Sequence, residues 1–148
     1  MKNKIVAAVL LIFSLISCSE KETNPDLTQQ YVGSWKTEVQ RTTQQVYWTS
    51  YEIKRISNTL LTINAGERWE SLLGEFDDYT DTYTLDSVEV SSDRSINIKS
   101  SRVLANGQNV SYNGSGQIFN DTLTIRMIID YDNMGNDIPT TIKLAKQN

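Results

Sequence analysis

From Tyr31 onward the chain alternates apolar and polar side chains with a period of two, the signature of strands with one buried and one wet face. Tyr31, Gly33, Trp35 and Val39 share one parity, and so do Tyr47, Tyr51 and Ile53. Thr59 to Ile63 is a short apolar run; Ile96 and Ile98 alternate with Asn97 and Lys99. Val110, Tyr112 and Ile118 share a parity with Gly114 and Gly116; Leu123, Ile125, Met127 and Ile129 form another row, and Ile138, Ile142 and Leu144 the last. Turn-forming residues fall between the runs: Ser57-Asn58, Asn64-Ala65-Gly66, Ser91-Ser92-Asp93, Asn106-Gly107, Asn120-Asp121 and Asn133 to Asn136. Links this short make hairpins and cannot hold the crossover that parallel strands need. The run Thr82 to Val90 changes parity near Asp86-Ser87, which predicts a bulge there. In Glu67 to Phe76 the spacing of Trp69, Leu72, Leu73 and Phe76 fits two helical turns or an irregular strand, and the strand is preferred.

These elements predict an all-β fold, an antiparallel up-and-down meander of eight or nine strands. A meander that long has two exposed edges, and closure into a barrel removes them. Gly114 and Gly116, on the apolar face of a long strand, permit the sharp bend that closure requires. A two-sheet β-sandwich is the alternative.

The first thirty residues follow a different pattern. Lys2 and Lys4 precede an apolar run from Ile5 to Phe13, and Ser17 precedes the single cysteine, Cys18. The run is too short to cross a bilayer as a helix, and its layout is that of a cleaved export signal. Leu15-Ile16-Ser17-Cys18 resembles the lipobox of bacterial lipoproteins. That resemblance implies cleavage before Cys18, acylation of its thiol and amino group, and a membrane partner through the lipid. With Ser19 rather than aspartate after the cysteine, the resemblance to Gram-negative lipoproteins implies the outer membrane, and Glu20-Lys21-Glu22 resembles the acidic surface-export signals of Bacteroidota lipoproteins. The expected organisation is therefore a signal peptide at 1–17, a lipidated cysteine and polar linker at 18–30, and a folded domain at 31–148.

Composition narrows the chemistry. Fourteen basic residues face 18 acidic ones, and two of the basic ones lie in the leader, so the exported part carries six net negative charges. That argues against nucleic acid as a partner, because phosphate recognition needs clustered Lys and Arg. The chain has no histidine. This removes histidine-based triads and histidine-ligated zinc or iron, and a lipidated Cys18 removes thiolate chemistry. No cofactor and no enzymatic activity are expected. Glu75, Asp77, Asp78 and Asp81 form one acidic cluster and Asp130 to Asp137 another. Neither follows the calcium-loop spacing, since Met134 stands before Gly135, so no metal is assigned.

Gly33-Ser34-Trp35 opens the first strand. With that G-x-W triplet, and with the Gly114-x-Gly116 strand followed by Asn120-Asp121, the chain resembles lipocalin-like (calycin-type) domains of exported Bacteroidota lipoproteins. The resemblance implies that Trp35 plugs one end of the barrel beneath an arginine from a late strand, for which Arg126 is the candidate by order. The T-D-x-x-Y signature of that group has no counterpart here. A barrel mouth can hold a small ligand, and Tyr47, Tyr51, Trp69, Tyr83, Tyr112 and Met127 are the candidate lining residues, each of which would otherwise simply fill the interior. Trp48 falls on the outward parity with Glu52. The expected function is that of an outer-membrane-anchored lipoprotein binding a small, partly apolar ligand. A surface interaction or inhibitor module working through loops such as Leu72 to Asp81 and Tyr131 to Ile138 is the rival, and glycan binding a third reading.

Overall fold

The computed structural model describes residues 25–74, 77–132 and 137–147. The leader, Cys18 and the Asn133 to Asn136 turn lie outside them. Nine antiparallel strands follow in chain order: β1 (Gly33–Lys36), β2 (Gln40–Arg41), β3 (Gln45–Ser57), β4 (Leu60–Ser71), β5 (Tyr79–Val90), β6 (Ser95–Val103), β7 (Asn109–Phe119), β8 (Thr122–Tyr131) and β9 (Ile138–Lys146). Each of β3 to β8 pairs with its successor, and β1 joins β9 to β3, so eight strands close a barrel. Strand β2 continues the line of β1 along β3, with Gly33 opposite Ile53 and Gln40 opposite Tyr47. The first strand is thus one strand broken at Thr37 to Val39. Val39, expected to face inward, is exposed in that break.

The buried face is the one the alternation predicts. Tyr51, Ile53, Leu61, Ile63, Ala65, Tyr83, Leu85, Ile96, Ile98, Val110, Tyr112, Leu123, Ile125, Met127 and Leu144 form one continuous core. The parity change in β5 is a bulge. Leu61 pairs with Val88 and Ile63 with Leu85, so Thr62 faces both Asp86 and Ser87, and Ser87 takes a φ of 57°. Asn120 and Asp121 both have positive φ, 48° and 57°, as a two-residue hairpin turn requires. Gly114 has no space for a side chain: a Cβ there would lie 2.4 Å from the Arg126 carbonyl oxygen and 2.5 Å from Met127 Cβ.

Two expectations fail locally. Asn64-Ala65-Gly66 is no turn but the middle of β4, which runs unbroken from Leu60 to Ser71. Pairing on both sides, Tyr51 with Ala65 and Ala65 with Tyr83, outweighs the local turn preference. The boundary at residue 31 also moves. Thr28 is fully buried, the Leu27 amide donates to the Asn58 carbonyl, and Asp26 pairs with Arg55 at 3.0 Å. Residues from Asp26 onward therefore plug one end of the barrel instead of serving as free linker.

That end is sealed. Trp35 and Tyr31 are buried there, Trp35 Nε1 donates to the Tyr31 carbonyl at 2.7 Å, and the Tyr31 hydroxyl donates to the Arg94 carbonyl. Burial pushes the Tyr31 phenol up to about 12. Barrel closure also happens here. Among the described residues the β5–β6 ladder holds only the pairs Glu89–Asn97 and Val90–Ile96, and the β1–β9 ladder only Trp35–Lys146 and Lys36–Ala145. The barrel thus consists of two half-sheets, β1 to β5 and β6 to β9, stitched together at the plugged end and diverging toward the other.

Candidate functional site

The divergence exposes rows of inward-pointing residues at the open end, each row running across β3, β4 and β5. The outermost is Tyr47, Trp69 and Tyr79, in register across the three strands. Tyr47 and Trp69 stack at 5.4 Å and 18°, and Trp69 meets Tyr79 at 5.5 Å and 45°. The next row is Thr49, Glu67 and Asp81, and below it lie Tyr51, Ala65 and Tyr83. Tyr83 stacks on Tyr112 of the opposite half-sheet at 5.2 Å and 12°.

The two seams end differently at the open end. Across β5 and β6, Arg102 grips Asp81 with both terminal nitrogens, Nη1 to Oδ1 at 3.1 Å and Nη2 to Oδ2 at 2.5 Å. Its guanidinium lies over the Tyr83 ring, 4.3 Å from the centroid. The hydrogen bond from Arg102 holds the Asp81 carboxyl below the usual carboxylate range. At the other seam, between the Thr37 to Val39 break and β9, a cleft of about 480 Å³ opens. Tyr47, Thr49, Glu67, Ile129 and Ile142 line it from inside, with Glu38, Gln40 and Lys143 at its edge.

Glu67 is the chemically distinctive residue of this cleft. Its side chain is half-buried, and Oε1 accepts a hydrogen bond from the Tyr83 hydroxyl at 3.1 Å. No ion pair to Glu67 exists among the described residues. Burial raises its pKa; the Tyr83 hydrogen bond opposes that rise, the neighbouring Asp81 charge adds to it and the Arg102 charge opposes it. Beneath it, the Tyr51 hydroxyl is buried with no hydrogen bond of normal geometry, although Tyr83 is close enough to interact with it. Arg102 Nε is likewise buried and unpartnered. Desolvation raises the pKa of both Tyr51 and Tyr83, so both phenols are neutral donors.

The candidate residues separate by depth. Tyr47 and Trp69 are half-buried at the open end; Tyr51, Tyr83 and Tyr112 form a packed layer below them, and Met127 is core. The interior below the open end is therefore largely filled by these side chains. Trp48 points outward and is covered by cations, with Lys36 Nζ 4.5 Å and Arg68 5.6 Å from its ring. At the plugged end the cation over Trp35 is Lys146, 5.4 Å away, and not Arg126. Arg126 follows Ile125 on the outward parity of β8 and is exposed beside an outer groove. Of the acidic cluster, Asp81 is held by Arg102, Asp78 accepts from the Ser71 amide at 3.0 Å, and Asp77 is exposed. Glu67, Asp81 and Arg102 escape sequence reading as a site because they sit on three strands, and only register brings them together.

No protein-family model matches this chain, and no curated protein sequence does. Its fold is similar to that of a "putative outer membrane protein" from Bacteroides fragilis solved by crystallography, with a TM-score of 0.51 and 18% identity over 82% of this chain. The match spans 53% of that longer protein.

Proposed function

We propose that this protein is an envelope lipoprotein, without enzymatic activity, that binds a small, partly apolar ligand in the cleft between its half-sheets. The observation that carries the reading is the half-buried Glu67, which has no ion pair among the described residues and lines a 480 Å³ cleft together with Tyr47 of the Tyr47–Trp69 stack. Pockets of this kind, apolar walls with a few polar groups, are where small molecules bind. The lipobox at Cys18 and the outer-membrane description of the structural neighbour support the location. So does geometry. Six residues lie between Cys18 and Pro25, a span of at most about 25 Å, and the plug begins at Asp26. A lipid at Cys18 would hold the plugged end toward the membrane and turn the cleft outward.

One observation favours a protein partner instead. Val39, Leu72, Leu73, Tyr79, Val103 and Ile138 are exposed, and all lie at the open end. Native mass spectrometry of the chain lacking residues 1–18, purified from cells that make it, separates the readings; every contact described above lies within residues 25–147. A retained molecule of a few hundred daltons supports the cleft. A chain that stays empty through repeated gentle purifications while retaining a protein partner overturns it.

A further inference from the structure

We infer that the cleft selects ligands carrying a protonated amine on an aromatic or apolar body, the ammonium pairing with Glu67 and the body lying against Tyr47, Ile129 and Ile142. The inference rests on the cleft being a binding site and adds the chemical class of its ligand.

It starts from the hydrogen-bonding state of Glu67. A carboxylate has room for about four hydrogen bonds, and Glu67 receives one, at Oε1 from Tyr83. Oε2 has no partner among the described residues. The cation nearest in role, Arg102, has both terminal nitrogens engaged by Asp81. Lys143, the one cationic residue lining the cleft among the described residues, is exposed at its edge and forms no ion pair with Glu67. Glu38 adds a second carboxylate to the lining. A half-buried carboxylate without a counter-ion is costly, and an arriving cation removes that cost.

The row above supplies the rest. Tyr47 shares the cleft with Glu67 and is stacked on Trp69. Tyr47 and Glu67 come from neighbouring strands, with Tyr47 two residues before Thr49, the register partner of Glu67. Aromatic faces attract ammonium groups and stack on flat apolar bodies. Anionic ligands meet two carboxylates, Glu38 and Glu67, against Lys143 at the edge, and Arg102 is already engaged by Asp81.

Three probes of one shape test the inference: phenethylamine, 2-phenylethanol and 3-phenylpropionate, titrated calorimetrically at neutral pH into the chain lacking residues 1–18 and into its Glu67→Gln variant. The amine is expected to bind at least about tenfold more tightly than the alcohol, with the carboxylate weakest. Glu67→Gln should bring the ratio of amine to alcohol affinity down to near unity. Equal or tighter binding of the alcohol or carboxylate overturns the amine assignment and leaves the cleft standing as a site. Undiminished amine binding by the variant does the same. No binding by any probe, to a chain with an intact β spectrum, overturns both. Should the variant fail to fold, the ranking of the three probes on the unaltered chain decides.

Discussion

At the scale of single residues, Glu67 and Gly114 represent opposite kinds of constraint. Gly114 serves the fold: any Cβ would strike the Arg126 carbonyl and Met127. Gly114→Ala should destabilise the domain by about 1–3 kcal/mol, the cost of forcing atoms into a packed core, measurable by urea unfolding. Glu67 does the reverse. Its folded pKa is raised, so the folded state binds its proton more readily than the unfolded chain, and the ionised side chain costs stability at neutral pH. Glu67→Gln keeps an acceptor for Tyr83 and loses the charge. It should raise the melting temperature by a few degrees at pH 7. The advantage should shrink as pH falls through the folded pKa of Glu67 toward its unfolded value of 4.5. A variant less stable than the original at pH 7 would mean that the carboxylate serves the fold. Residues that cost stability where they stand are the expected mark of a binding site.

At the scale of elements, the β5–β6 seam is held by ladder pairs at one end and by Asp81–Arg102 at the other. Asp81→Asn or Arg102→Met should speed amide exchange in Tyr79 to Asp86 and Lys99 to Val103 by roughly tenfold or more, while the β3–β4 ladder is unaffected. The pair also sets a pH dependence. The Asp81 pKa is lowered by Arg102, so its contribution is present above the unfolded value of 3.8 and disappears as pH falls through the folded pKa. Acid unfolding monitored by circular dichroism should begin at higher pH in Arg102→Met. The strands themselves were legible in the sequence, down to the bulge at Asp86-Ser87, because a half-buried strand writes its burial into every second residue. Asn64-Ala65-Gly66 misled because its conformation is set by two partner strands and not by its own turn preference. The Arg126 assignment failed for a related reason: order along the chain gives the strand, but parity gives the face, and Arg126 sits on the wrong one.

For the whole molecule, closure was readable and its unevenness was not. A period of two says which residues face in, yet the extent of pairing between β1 and β9, or β5 and β6, depends on how the half-sheets tilt. The plug was hidden for another reason. Asp26, Leu27 and Thr28 are mostly polar and look like linker, and their order comes from Arg55, Asn58 and Tyr31. Removing residues up to Gln30 should expose Trp35 and lower the melting temperature by several degrees, read by calorimetry, with binding in the distant cleft retained. The central claim is that the opening between the half-sheets is where a ligand sits. Amide NMR of the chain lacking residues 1–18, titrated with phenethylamine, tests it most directly. The account predicts shifts confined to Thr37 to Gln40, Tyr47 to Thr49, Glu67 to Trp69 and Thr140 to Lys143. Shifts concentrated instead on the outer groove around Asn113 to Ser115 and Arg126, or no shifts at all, would contradict it.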